Sequence, residues 1–215
     1  MDTLFSADSV LMRGLTRLAD VMILNMLFIV TALPLVTLGA SLTALNFTAM
    51  RIGTGACNSV TGDYFRSFRK NFRQATWLAL ALAALAGVLA AWYVVLTTSA
   101  LGADAELVLL AIWYILAFSL ATTALFAFPY LASFEGRTRD VLRNGLLLSW
   151  RHLPTALATL AMIILSIGVT VYYPQAIGYG LLWLLIGFAG IAVANGVLFT
   201  RIFSKYTAAA TAGAA

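Results

Sequence analysis

The chain alternates between long windows without a charged residue and short basic connections. The windows are Val21–Met50, Gln74–Ala103, Leu107–Phe134 and His152–Thr200, the last long enough for two membrane crossings. One connection carries a second period. In TGDYFRSFRKNFRQ (61–74), Phe65, Phe68 and Phe72 fall at i, i+3 and i+7, so a helix puts them on one face. Arg66, Arg69, Lys70 and Arg73 take the rest of its circumference. That pattern predicts an amphipathic helix lying in a membrane surface, rings in the acyl boundary and cations at anionic headgroups. The N-terminal stretch predicts a smaller lead-in of the same kind. Leu11, Leu15, Leu18 and Met22 share one face, and Arg17 and Asp20 are spaced to pair across one turn.

The windows predict an all-α, polytopic membrane helical bundle. It is a single integral membrane domain, 1–215, with spans at 18–33, 35–50, 75–97, 107–131, 154–173 and 180–203. Pro34 divides the first window, because proline lacks a backbone donor and disfavours helix in the residue before it. Each arm is about 24 Å long by helical rise. The pair is either a hairpin of two short spans or a span followed by a re-entrant segment.

Charge decides how many times that window crosses. A single crossing would place Arg13 and Arg17 opposite the remaining cations. An in-and-back path puts all thirteen Lys and Arg on one side, which the positive-inside rule makes cytoplasmic, together with both termini. On that path Trp92, Tyr93, Tyr172, Tyr173 and Tyr179 line the outer interface, the fourth span is broken or bent near Pro129, and the tail 207–215 frays. SFRKNFRQATWLALALA and LSWRHLPTALATLAM share an order of aromatic, cation and exit span. Two related hairpins would produce it, and so would a common way of entering a membrane.

Composition agrees with the pattern. Apolar residues make up 62% and charged residues 10%, against about 25% charge in soluble domains, and mean hydropathy is +0.96. The basic pI of about 9.7 reflects topology rather than nucleic-acid binding, since the cations are confined to connections. The single cysteine, Cys57, leaves no disulfide within the chain.

Candidate chemistry is sparse. No metalloprotease, nucleophile-elbow or Walker pattern occurs, and GTGACNSVTG lacks the phosphate-loop lysine and reads as a flexible turn. His152, beside Arg151 at a span boundary, reads as interfacial, and Asp104 with Glu106 as a polar loop. Apart from Asp20 and Arg201 at the ends of the first and last, the expected spans hold no Asp, Glu, Lys or Arg to couple transport to protons. No catalytic residue, cofactor or metal is therefore assigned, and the chain is read as non-enzymatic. The best place for a site is the break itself, where interrupted helices expose backbone groups. It comprises Asn25, Pro34, Thr37, Gly39, Ser41 and Asn46, with Thr43 beside them and Asn195 the comparable amide on the last span.

LPLVTLGASLTALNFTAMRI followed by YFRSFRKNFRQATWLALAL resembles the YesL family, small multi-spanning proteins of unknown function from Gram-positive bacteria. The specific part covers roughly residues 33–80. The resemblance implies a bacterial plasma membrane location and an accessory or scaffold role beside a carbohydrate ABC-type uptake system, with permease or sensor subunits as partners. It supplies no functional residues. Phe65, Arg66, Phe68, Arg69, Lys70, Phe72 and Arg73 are the docking candidates for lipid or for such a partner, and a channel or facilitator for a small neutral solute is the alternative function.

Overall fold

A computed structural model describes residues 10–99, 102–173, 175 and 180–212. Among them are seven α-helices and no strand: α1 (Val10–Ala32), α2 (Leu38–Thr54), α3 (Val60–Thr98), α4 (Ala103–Ser133), α5 (Thr138–Arg151), α6 (Leu153–Tyr172) and α7 (Phe188–Ala212). A 3₁₀ turn, Leu35–Thr37, precedes α2, and a π turn, Trp183–Gly187, precedes α7. Six helices are long and apolar enough to cross a membrane, so the expected all-α bundle is present. The turn at 174 and 176–179, Tyr179 of the expected aromatic belt and residues 213–215 of the tail lie outside the described residues. Residues 207–212 of that tail are helical.

α2 is the central element. Ala44, Leu45, Ala49 and Ile52 pack with Leu24 and Phe28 of α1, Tyr64 of α3 and Ala189 of α7. Ala40 packs with Leu78 and Leu82 of α3 and Ala127 of α4. Met50 joins Phe126, Phe199 and Phe203. Its apolar window is 56% buried inside the protein, against 11–28% for the other five, so α2 meets protein where they meet lipid. Small residues permit this approach. A Cβ on Gly39 would run into the Ala75 carbonyl of α3, and one on Gly196 would lie 3.2 Å from the Met50 backbone nitrogen.

The α2–α3 corner is a locked turn, which corrects the flexible reading of the glycine-rich stretch. Gly55 takes φ 73°, the left-handed conformation that costs glycine least. The Gly55 N–H donates to Ile52 O at 3.1 Å and the Ala56 N–H to Arg51 O at 2.9 Å, a Schellman closure. The Arg51 side chain donates to Ala56 O at 2.6 Å and to buried Asp63 at 2.7 Å. Ser59 caps α3 by accepting from Gly62 N–H at 3.2 Å.

α3 overturns the expected surface helix as a separate element. It runs unbroken through 39 residues, about 58 Å by helical rise, so residues 61–74 are its first part. The physical reason is plain in the sequence: no proline or glycine separates Phe72 from Leu82, and nothing interrupts the i→i−4 ladder there. The first part of α3 lies antiparallel to α2, Arg51 beside Asp63 at one end and Gly39 against Ala75 at the other. Thr76 donates to Val36 O at 3.3 Å, so the tip of the α1–α2 hairpin reaches only the level where the apolar stretch of α3 begins.

Other expectations are adjusted. α4 continues through Pro129 rather than breaking, since a proline near the last turn costs one ladder bond, and Ser133 Oγ donates to the Pro129 carbonyl at 2.9 Å. Asp104 and Glu106 sit in the first turn of α4, not in a loop, where their charge complements the helix dipole. Arg17 and half-buried Asp20, spaced to pair, form no ion pair in the structure. The second basic helix, α5, ends at His152 (φ −117°, ψ 46°) before α6 starts, whereas α3 has no such break, so the two sequence-similar stretches adopt different structures. Of the expected outer aromatics, Tyr172 and Tyr173 are well exposed, while Tyr93 also stacks on Trp113 with ring centroids 4.9 Å apart.

Candidate functional site

At the break, α1 stops at Ala32 and leaves its last carbonyls without intrahelical donors. Thr37 serves one of them: its single hydroxyl proton lies within reach of Thr31 O and of Pro34 O, and its N–H donates to Pro34 O at 2.9 Å. Ser41 Oγ donates to Thr31 Oγ1 at 3.0 Å, and Tyr64 OH shares a 2.5 Å bond with that same Thr31 oxygen. Tyr64, fully buried on α3, thus ties the hairpin to the basic half of that helix. Neither Thr31 nor Tyr64 was expected here. Nothing local marks them, because their partners are distant along the chain.

The expected site residues therefore divide. Pro34, Thr37 and Ser41 meet at the break, where Gly39 closes against α3. Thr43 donates to Gly39 O within its own helix. Asn46 donates to Leu42 O at 2.8 Å and faces an interior cavity that Asn195 also lines. Asn25 lies elsewhere, at the π turn. Its Nδ2 donates to Trp183 O at 2.9 Å and Leu184 O at 2.7 Å, and its Oδ1 accepts from Ala189 N–H at 3.0 Å. A π turn displaces the α-helical ladder, and this fully buried amide bonds the backbone groups around it.

The docking candidates divide as well. Phe65 and Phe68 are half-buried and pack against the protein core, with ring centroids 6.5 Å apart. Phe72 is 38% exposed. Arg66, Arg69 and Arg73 are exposed, and Arg66 lies 3.8 Å from Asp63. Lys70 Nζ pairs with Glu135 at 2.8 Å, and Gln74 Nε2 donates to Gly136 O at 2.7 Å, which latches α3 to the α4–α5 connection. Between them lies a polar cleft of about 520 Å³. The Lys70 hydrogen bond and charge lower the pKa of the Glu135 carboxyl.

Two further groups sit on connections. Burial first, then Asp63, raises the pKa of the Cys57 thiol. His152 Nε2 meets Tyr206 OH at 3.0 Å, and Arg151 lies over the Tyr206 ring at 5.8 Å. Burial, followed by the charges of Arg151 and Lys205, lowers the His152 pKa. Among the described residues no cluster of three or more His, Cys, Asp or Glu gathers that could hold a metal.

The architecture is that of a multi-pass helical membrane protein. Residues 21–94, from α1 into the apolar part of α3, match the model of a family described as a protein of unknown function, DUF624. The match includes the Pro34 break and the basic half of α3, and it is consistent with the YesL resemblance. No curated protein and no solved structure matches the chain.

Proposed function

We propose that this protein is a non-enzymatic accessory or scaffold of the bacterial plasma membrane, with both termini cytoplasmic, that docks a partner through the first half of α3. The observation that supports this is the division of labour on that half-helix. Phe65, Phe68 and Tyr64 face the core, Lys70 and Gln74 latch the next connection, and Arg66, Arg69 and Arg73 remain exposed on a helix continuous with a span. A rigid cationic edge at a membrane boundary suits anionic headgroups or an acidic partner face. The YesL resemblance supplies the partner class, permease or sensor subunits of a carbohydrate ABC-type uptake system. The facilitator reading has less support. The hydroxyls of Thr31, Thr37, Ser41 and Tyr64 are taken up by one another or by backbone, and Gly39 is closed against α3.

Mild-detergent purification from the native host followed by mass spectrometry tests the proposal. The wild-type chain is expected to recover such subunits in stoichiometric amounts. The triple variant Arg66→Glu, Arg69→Glu, Arg73→Glu is expected to recover about tenfold less, equivalent to ~1.4 kcal/mol of binding, at equal expression. A wild-type protein that purifies alone would sink the stable-scaffold reading.

A further inference from the structure

A cleft of about 300 Å³ opens where the last turn of α4 meets α5 and the end of α7. Tyr130, Phe134, Phe203 and Tyr206 line it with rings, Tyr130 stacking on Phe134 with centroids 4.8 Å apart. Two donors on its wall have no acceptor among the described residues. Tyr130 OH accepts from Asn144 Nδ2 at 2.8 Å, which leaves the phenol proton for another partner, and no described residue takes it. Arg151 is the second donor. Its guanidinium lies over the Tyr206 ring at 5.8 Å, and Tyr206 is held in turn by His152 at 3.0 Å. Among the described residues Arg151 is in no ion pair, and no Asp or Glu lines the cleft. The rim shows what adjoins it. On α5, Leu146, Leu147 and Trp150 are 40–54% exposed, Arg143 is exposed near them, and Leu147 is itself part of the cleft. A short helix that exposes leucine, tryptophan and arginine together suits the surface of a bilayer.

We infer that this cleft binds an anionic amphiphile drawn from the bilayer surface. The carboxylate or phosphate oxygens of its head accept from Arg151 and from the Tyr130 O–H, and its hydrocarbon chain leaves over Leu147. A neutral head would forgo the charge-assisted bond to the guanidinium, the stronger kind. A cationic head would meet Arg151 with Lys205 exposed on the same corner. A small soluble anion would match the two donors and leave the walls at Phe134 and Phe203 without an apolar partner. The inference stands apart from the docking role of α3, because none of these residues lies on that helix.

The test uses the full chain in phosphatidylcholine nanodiscs at alkaline pH, with a diazirine-bearing hexadecanoate and its methyl ester as matched probes. The acid is expected to label peptides carrying Leu147 and Phe203 about tenfold more than the ester, the scale of one hydrogen bond to a charged group. In Arg151→Gln the two probes should label equally, while Arg143→Gln, on the same helix but outside the cleft, should keep the difference. Should Arg151→Gln fail to fold, Tyr130→Phe, which removes a single oxygen, is expected to lower labelling by the acid about fivefold and to leave the ester unchanged. Unlabelled competitors separate the two sources of such a head. Competition by phosphatidylglycerol as well as by hexadecanoate assigns it to a lipid phosphate, and competition by hexadecanoate alone to a free carboxylate. Equal labelling by acid and ester in the wild type would overturn the inference. So would a loss in Arg143→Gln as large as in Arg151→Gln, which would mean attraction to the cationic surface alone, or labelling that neither competitor reduces.

Discussion

Asp63 shows how one side chain can set the corner between two helices. It sits in the first turn of α3, where a carboxylate complements the helix dipole, and its side chain is 7% exposed. Arg51, at the last turn of α2, bonds it at 2.7 Å while holding the Ala56 carbonyl, so one guanidinium closes both the ion pair and the turn. Removing only the cation strands a nearly buried carboxylate with Arg66 at 3.8 Å. Arg51→Met is expected to cost about 2–3 kcal/mol, somewhat below the usual penalty for breaking a buried pair because Arg51 is one-third exposed. Adding Asp63→Leu should recover most of that loss, since an apolar pair replaces a buried ion pair with little penalty. Thermal unfolding in detergent measures both, and a double variant no better than Arg51→Met would mean that the arginine acts mainly through the turn. The pair was not legible beforehand. Arg51 and Asp63 are twelve residues apart, and neither belongs to a periodic pattern.

At the scale of elements, helix identity is legible in the sequence, and helix continuity is legible only where a breaker is present or absent. The charge-free windows located all six apolar helices, and Pro34 located the break, because both signals are local. α3 differs because a membrane-surface helix followed by a span needs a bend between Gln74 and Ala75, and the sequence contains no residue to make one. Of the apolar face the period marks, Phe65 and Phe68 pack against Tyr64, the hairpin and α4, while Phe72 stays exposed. The π turn had no local signal at all. Its support comes from Asn25, about 160 residues earlier, through two donated bonds and one accepted bond. Asn25→Leu keeps the volume and removes all three. It is expected to destabilise by about 3 kcal/mol or more, several buried groups being left at ~1–3 kcal/mol each. Trp183 fluorescence should shift with it, because its ring packs on Phe188 at 5.0 Å just beyond the turn. An unchanged unfolding midpoint would show that the π turn satisfies its own backbone.

For the whole molecule, the register between α2 and α3 determines how deeply the first hairpin sits. α2 pairs with residues 63–75 of α3, the part that carries Arg66, Arg69, Lys70 and Arg73, and the hairpin tip at Val36 bonds Thr76. Beyond that level α3 continues to Thr98, about 33 Å of helix and close to the thickness of a hydrocarbon core. Leu33, Leu35 and Val36 at that tip are 66–84% exposed, and Asn25, short of the tip on α1, bonds Trp183 and Leu184 while Trp183 bonds Thr170, so the ends of α6 and α7 reach no further than the hairpin. Length and hydropathy could not separate this arrangement from a pair of full crossings, because both require the same apolar arms. The distinction rests on which part of α3 the hairpin faces. Spin labels at Val36→Cys and Trp77→Cys, each with Cys57 replaced by serine, are expected to report equal depth by oxygen and nickel-chelate relaxation. Neither cysteine should react with an impermeant maleimide added outside intact cells. Outside labelling of Val36→Cys would establish a full crossing and require the α2–α3 register to change in the membrane. Equal depth would instead show that the register holding the hairpin against the basic half of α3 persists in the membrane. A partner docked on Arg66, Arg69 and Arg73 would then touch the same rigid unit that carries the Pro34 break.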